Sequence, residues 1–595
     1  MNPLVDDRDL EFLLYEVHDA TSLLAYPHFA EHGKETFDAY VEVCRRFARE
    51  TLFPAYRAMD AEPPVLSGGR VTVHPRLHEI WPKLVDLGVV SASRPFDVGG
   101  AQLPLIVATA AQLYLMAADC AVCSFAGLTT GAGHLIETFA SPALKETYLS
   151  RLYEGRWTGT MALTEPQAGS SLSDVATRAK PSGDHWLISG SKIFISGGDH
   201  DLADNVVHMV LARLDGAPAG IRGVSLFLVP KLRLERGGLV PNDVRTAGLV
   251  HKIGWKALPA AVLSFGEEGD CRGWLVGEPN QGVPYMFQMM NAARISVGAD
   301  AVATASVAYH ESLAYARTRP QGRPAGSRDP AKPQVPIVEH ADVRRMLLRQ
   351  KAIVEGGLSL ILCVAKLADA SEHAPDAAER ERAQILLDLL TPVAKSFPAE
   401  KGFESTCLAL QVHGGYGYSS EYLPEALVRD QKLNSIHEGT TGIQALDLLG
   451  RKAVAQGGAA LAVLGREVAA ACERAEKAGV HAGWITEVRA MGARIVSVTA
   501  GLGKKGAGGD VEGMLRHAAD YLELFSAYVV AWQWLLQAAV AREALDEGRG
   551  PEAFYEGKLA AAQYWIRTEL PKAAALASLC EENEDSYARM RADWF

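Results

Sequence analysis

With 595 residues, at roughly 150 per domain, the chain holds about four domain-equivalents. Its 48% hydrophobic and 22% charged residues, with 55 Gly and 29 Pro, exclude collagen-like and wholly disordered readings. Lys and Arg number 59 against 71 Asp and Glu, a net charge of −12, and no long basic block occurs, which argues against a nucleic-acid or anionic-membrane surface.

The first residues, MNPLVDDRDLEF, lack a basic stretch followed by an apolar one, so no secretory signal is expected. Helical spacing of apolar residues over Asp38–Leu52, His74–Leu87 and Pro104–Ala117 predicts an N-terminal α-helical domain over residues 1–157. Val98–Ala118 and Leu524–Ala541 carry no charge, but Gly, Pro and Gln in the first and Ser526, Gln533 and Gln537 in the second favour buried helices over membrane spans. Cys120 and Cys123 form a lone CxxC in an apolar helical stretch, and core thiols fit better than a metal or redox site. The eight cysteines have no framework spacing, as in a reduced cytoplasmic chain.

From Thr158 short runs such as TGTMALT, KIFIS, NVVHMVLARL and RGVSLFLVPK, cut by Gly, Asp and Pro, predict a central antiparallel β-domain over 158–280. Long helical patterns return over 281–450, and a Gly-rich stretch near 450–458 leads into an appended helical domain over 451–595. Gly501, Gly503 and Gly506 spell GxGxxG, but no strand precedes them, so an interhelical turn is expected instead of a dinucleotide fingerprint. HExxH and GxxxxGK[ST] are absent, and no metal site is expected.

Four segments carry chemistry together: MALTEPQAGSSLSD at Met161–Asp174, KIFISG at Lys192–Gly197, QVHGGYGY at Gln411–Tyr418 and IHEGTTGIQ at Ile436–Gln444. In order and spacing they resemble the acyl-CoA dehydrogenases over about residues 35–450, and the total length and the GDHD run at Gly198–Asp201 look most like the larger branch typified by 3-methylmercaptopropionyl-CoA dehydrogenase. The resemblance implies an α+β multidomain fold, with an N-terminal helical domain, a central β-domain and a C-terminal four-helix bundle, plus the extra C-terminal helical domain. It implies FAD as cofactor, an acyl-CoA substrate, electron-transfer flavoprotein as electron acceptor and a homodimer, with no transmembrane segment and no nucleic acid.

An α-proton next to a thioester is weakly acidic, so its removal needs a positioned carboxylate and a hydride acceptor. By resemblance Glu438 takes the α-proton while flavin N5 takes the β-hydride, giving a trans-2-enoyl-CoA; the structural alternative is a carboxylate at a helix N-terminus. The backbone N–H of Glu438 polarises the thioester in the family, with Gly439 beside it and Ser170 and Arg294 on the substrate side; for Arg294 a plain helix salt bridge remains the alternative. Another family position for the base precedes that arginine, and here it is Ala293, which cannot take a proton. The flavin contacts implied are Met161, Leu163, Thr164, Gly169, Ser170, Phe194, Ile195 and Ser196. For the adenine and pyrophosphate end they are Arg319, Gln321, Gln411, Gly414 and Gly415, with Thr440 and Gly442 after the base. Relatives usually have a phenylalanine after that glutamine, where this chain reads Arg319-Pro320-Gln321-Gly322. The interval from Gln411 to Glu438 is 27 positions, as in familiar members.

Two competing activities follow from the same resemblance: an acyl-CoA oxidase returning electrons to O₂, and a DNA-associated flavoprotein of the same fold. Residues 451–595 hold 17 Lys and Arg against 19 Asp and Glu, which speaks against the second.

Overall fold

The computed structural model describes residues 2–327 and 329–595. Its chain forms two compact units, one of residues 35–104 and 114–293, the other of 1–34, 105–113 and 294–595. Its helices include α1 (Leu105–Phe139), α2 (Gly282–Thr318), α3 (Ala341–His373), α4 (Ala377–His413), α5 (Pro424–Lys432), α6 (Thr441–Asp447), α7 (Ala459–Lys477), α8 (Ala482–Ala507), α9 (Ala518–Asp546) and α10 (Glu552–Tyr564).

In the first unit an eight-stranded sheet consists of β1 (Trp157–Ala162), β2 (Arg178–Ser182), β3 (His185–Ser196), β4 (Asn205–Leu214), β5 (Val224–Pro230), β6 (Val244–Leu249), β7 (Ala260–Phe265) and β8 (Arg272–Leu275). Their order is β6-β7-β3-β8-β5-β4-β1, with β2 bridging β3 and β4. The pairing is antiparallel except that β1 and β2 both run parallel to β4. Side-chain alternation carries no information on strand direction, and the long excursion through β2 and β3 supplies the crossover that a parallel β1–β4 pair requires. All of β5 and nearly all of β4 are buried, which explains their unbroken apolar runs. One core under the sheet joins Leu135, Ile136, Trp157, Met209, Leu226, Met286 and Met289, so the methionines of α2 act there as packing.

In the second unit α3 and α4 pack along their lengths, and α9 lies against α10, α7 and α3. The two apolar stretches fall in α1 and α9; 89% of each apolar window is buried in protein, as a core helix requires. Gly501, Gly503 and Gly506 lie inside α8, not in a turn: Gly506 closes on the Met514 sulfur and Gly503 on Val454, so packing overrides their poor helix propensity. Residues 1–34 belong with this unit. Phe12 meets Phe554 edge-on at 5.4 Å, and the buried Lys558 ammonium donates to Asp9, to Glu355 at 2.8 Å and to Gln537 at 3.1 Å. Cys120 is buried and Cys123 partly so, both as free thiols, and among the described residues no metal-binding cluster occurs.

Candidate active site

The site residues of the sheet-bearing unit lie where the chain leaves β1 and where β3 bends. The loop after β1 is pinned by a buried pair that sequence reading quoted but gave no role, Lys192 and Glu165, 2.7 Å apart. Lys192 also donates to the carbonyls of Leu163 and Leu211, while Glu165 accepts from the Ala176 and Thr177 amides and the Thr177 hydroxyl. Burial alone would push the Glu165 carboxyl up, but Lys192 and these donors outweigh it and hold it down at about 2. The Thr164 carbonyl accepts from the Ile193 amide at 2.9 Å, which ties Thr164 and Leu163 to β3. At the β3 bulge, where the register against β7 slips, Phe194 takes φ +60° and leaves its ring 59% exposed, while Ile195 turns into the core. Met161, Thr164 and Ser196 are half-buried; Gly169 and Ser170 are exposed at the loop tip.

In the other unit Glu438 sits in the bend between α5 and α6. It adopts φ +53°, a conformation costly for a residue with a side chain, and Gly439 follows at φ +89°. Gln444 holds the bend by donating to the Glu438 carbonyl at 3.1 Å; a Cβ at Gly439 would stand 2.7 Å from that amide. Thr440 caps α6, its hydroxyl accepting from the Ile443 amide, and the Thr441 hydroxyl donates to Glu400; a Cβ at Gly442 would meet the Thr440 hydroxyl at 3.8 Å, an ordinary contact. The helix cap is therefore Thr440, and the Glu438 carboxylate accepts no hydrogen bond among the described residues. Burial pushes its carboxyl above the ordinary value, opposed by Arg294 and then Lys395. Arg294 on α2 is buried and paired at 3.1 Å with Asp447 of α6, which also meets Arg451 and Lys452. The ion pair expected as the plain alternative for Arg294 thus exists, and it fixes the arginine beside Glu438.

A separate cleft of about 410 Å³ gathers Arg319, Gln321, Gly414 and Gly415 with Tyr315, His413 and Tyr416. Gln411 is exposed and lies outside this lining. Tyr315 stacks on His413 at 4.3 Å, and Arg319 lies over the Tyr416 ring at 5.7 Å, so aromatic surface is present despite the missing phenylalanine. Gly414 ends α4 at φ +61° with open space where a Cβ would be, which lets a ligand approach the backbone. Ile337, Val412, His413 and Tyr416 also line the cleft and were given no role from the sequence; the QVHGGYGY motif contains the last three.

Four family models match in series: the acyl-CoA dehydrogenase N-terminal domain over residues 34–156, the middle domain over 160–266, the C-terminal domain over 280–453 and an "Acetyl-CoA dehydrogenase C-terminal like" domain over 464–591. The chain is 38% identical to a 3-methylmercaptopropionyl-CoA dehydrogenase of Ruegeria pomeroyi, covering 97% of this chain and 98% of that one. It is 32% identical to a broad-specificity linear acyl-CoA dehydrogenase of Mycobacterium tuberculosis, covering 95% of each. An acyl-CoA dehydrogenase of Bacillus anthracis solved with FAD shares its fold at a TM-score of 0.74 and 20% identity, over 99% of this chain and 92% of that one. The relative matched at 38% identity across almost its whole length, together with consecutive family domains, places this chain in the acyl-CoA dehydrogenase family.

Proposed function

We propose that the chain dehydrogenates the Cα–Cβ bond of an acyl-CoA thioester, with Glu438 as the base and FAD as cofactor. The observation that carries this is Glu438 itself: a carboxylate on a strained bend, free of hydrogen bonds among the described residues, with its acidity weakened by burial and two cations acting on it. A base needs this combination, since a carboxylate already satisfied by amides would be too weak to take the proton.

The residues present fit FAD. Phe194 offers an aromatic face to an isoalloxazine ring beside Thr164, Ile195 and Ser196, and Gly414 and Gly415 leave room for a pyrophosphate next to the Arg319 guanidinium. When bound, FAD supplies the hydride acceptor. Arg294 holds positive charge near the thioester end, Glu438 takes the α-proton onto its carboxylate, and its backbone N–H donates to the thioester oxygen. Ser170 and Gly439 complete the substrate side.

The substrate reading rests on the relatives: 3-methylmercaptopropionyl-CoA or another short or medium acyl-CoA. Electron-transfer flavoprotein is the acceptor, and a second copy of the chain covers the adenine cleft, whose lining presents Tyr416 at 46% exposure. The test is anaerobic: the visible spectrum of the purified protein is followed while a panel of acyl-CoAs is added to wild type and to Glu438→Gln. Bleaching of a flavin band in wild type alone is expected. Bleaching that survives in Glu438→Gln would assign the base elsewhere, and rapid reoxidation by air of the bleached protein would identify an oxidase.

A further inference from the structure

Lys395 carries a charge that neither the fold nor the chemistry above uses. It lies on α4 with no exposed surface, and its Nζ has no hydrogen-bond partner among the described residues. A bare buried ammonium is costly unless other charges compensate it.

Its surroundings show which charges those are. Pro398 lacks an N–H, so the Ala394 carbonyl next to Lys395 loses its helical donor. Helix α2 comes against that carbonyl at Gly298, where a Cβ would lie 2.0 Å from the oxygen. Gly298 is one turn beyond Arg294, and Ala301 of the same stripe meets Gly402 of α4, so Gly298 stands level with Lys395 and Arg294 about one turn before it on this helix pair. From α5, Gln431 donates to the Pro398 carbonyl; from α3, Ile361 reaches Gly298 and Gly357 packs on Phe397. Glu400, just over one turn along α4, accepts from the Thr441 hydroxyl and so fastens the Glu438 bend to the helix carrying Lys395.

The charged and titratable groups that act on this site are Arg294 of α2, Glu400 of α4, and His437 and Glu438 of the bend. Asp430 of α5 is buried nearby in sequence, and Asp447 of α6 shares the Arg294 charge. Burial lowers the Lys395 ammonium to about 8 against the pull of Glu400 and Glu438, so it remains largely a cation at neutral pH. Burial and Lys395 together lower His437 to about 3, which keeps its imidazole neutral.

We propose that Lys395 is a positioning residue for the reaction, the buried cation that keeps the Glu438 carboxylate ionised and ready for the α-proton. The proposal rests on Glu438 being the base. Arg294 is the larger influence on Glu438 but shares its charge with Asp447, whereas Lys395 has no hydrogen-bond partner among the described residues and adds to it.

Two readouts test it. Flavin bleaching is timed anaerobically over roughly pH 5 to 9 in flavin-loaded wild type, Lys395→Met and Lys395→Arg. The midpoint of the rising limb should move up by about one pH unit in Lys395→Met, with the rate recovering at high pH, and should return toward wild type in Lys395→Arg. Independently of turnover, the resonance of Lys395 in protein labelled with ¹³C at the lysine ε-carbon is identified by its loss in Lys395→Arg. In Glu438→Gln its titration midpoint should fall by about one unit, because coupling is reciprocal. An unmoved midpoint in both experiments overturns the proposal, and the resonance titration decides alone if Lys395→Met does not fold. If Glu438→Gln still bleaches, the base has been misassigned; if it is inert while Lys395 titrates as in wild type, only the role of Lys395 fails.

Discussion

With Glu438 as the proposed base, function and stability pull in opposite directions on one side chain. Its carboxyl titrates above the ordinary value because burial disfavours the charge. A carboxyl whose folded value is raised costs stability once the pH climbs past its unfolded value, so at pH 7 the ionised side chain strains the fold. Glu438→Gln is therefore expected to lose at least about 100-fold in the rate of flavin bleaching while unfolding at a higher temperature than wild type, as thermal denaturation at pH 7 would show. In wild type the bleaching rate should fall on acidification with a midpoint above that of an ordinary glutamate. This candidate was legible through the resemblance, because HEGTT lies at the family's interval from QVHGG. Its supports were not: Lys395, Asp447 and Glu400 are charges within helical stretches, where a solvated face is the ordinary expectation, and the approach of α2, α4 and α6 buries the first two and half-buries the third.

At the scale of an element, the loop after β1 depends on one ion pair drawn from two segments. Removing one member leaves the other charged and buried, so Lys192→Met is expected to cost about 3–5 kcal/mol and to lower the flavin content of the purified protein, read from the ratio of visible to ultraviolet absorbance. The linkage has a definite sign. Glu165 is depressed from 4.5 to about 2, so its contribution is complete above 4.5 and is lost as the pH falls from there toward 2. Thermal unfolding of wild type should show this acid limb, and Glu165→Gln should flatten it. The strands of the sheet were readable from their apolar runs, but the parallel pairing of β1 and β2 with β4 was not, because it is set by the path of the chain between them. The glycines of α8 likewise suggested a turn, and neighbouring Met514 and Val454 made them helix.

For the whole molecule, the contacts of greatest sequence separation are those between residues 1–34 and the appended helices. Lys558 satisfies Asp9, Glu355 and Gln537 at once, with Phe12, Phe554 and Trp534 around its ammonium. Lys558→Met would strand the buried Asp9 carboxylate, while Glu355 keeps its pair with Lys351, and should destabilise the unit by about 3–5 kcal/mol, measured as a lower midpoint in urea. A Lys558→Met, Asp9→Asn double variant should recover part of the loss, since the stranded charge is then gone. Asp9 is made 549 residues before the lysine that neutralises it. At the ~5–20 residues per second of protein synthesis, the gap is roughly half a minute to two minutes. During that time the segment around Phe12 lacks Phe554 and the Lys558 ammonium, and this part of the unit closes only after Lys558 has been made.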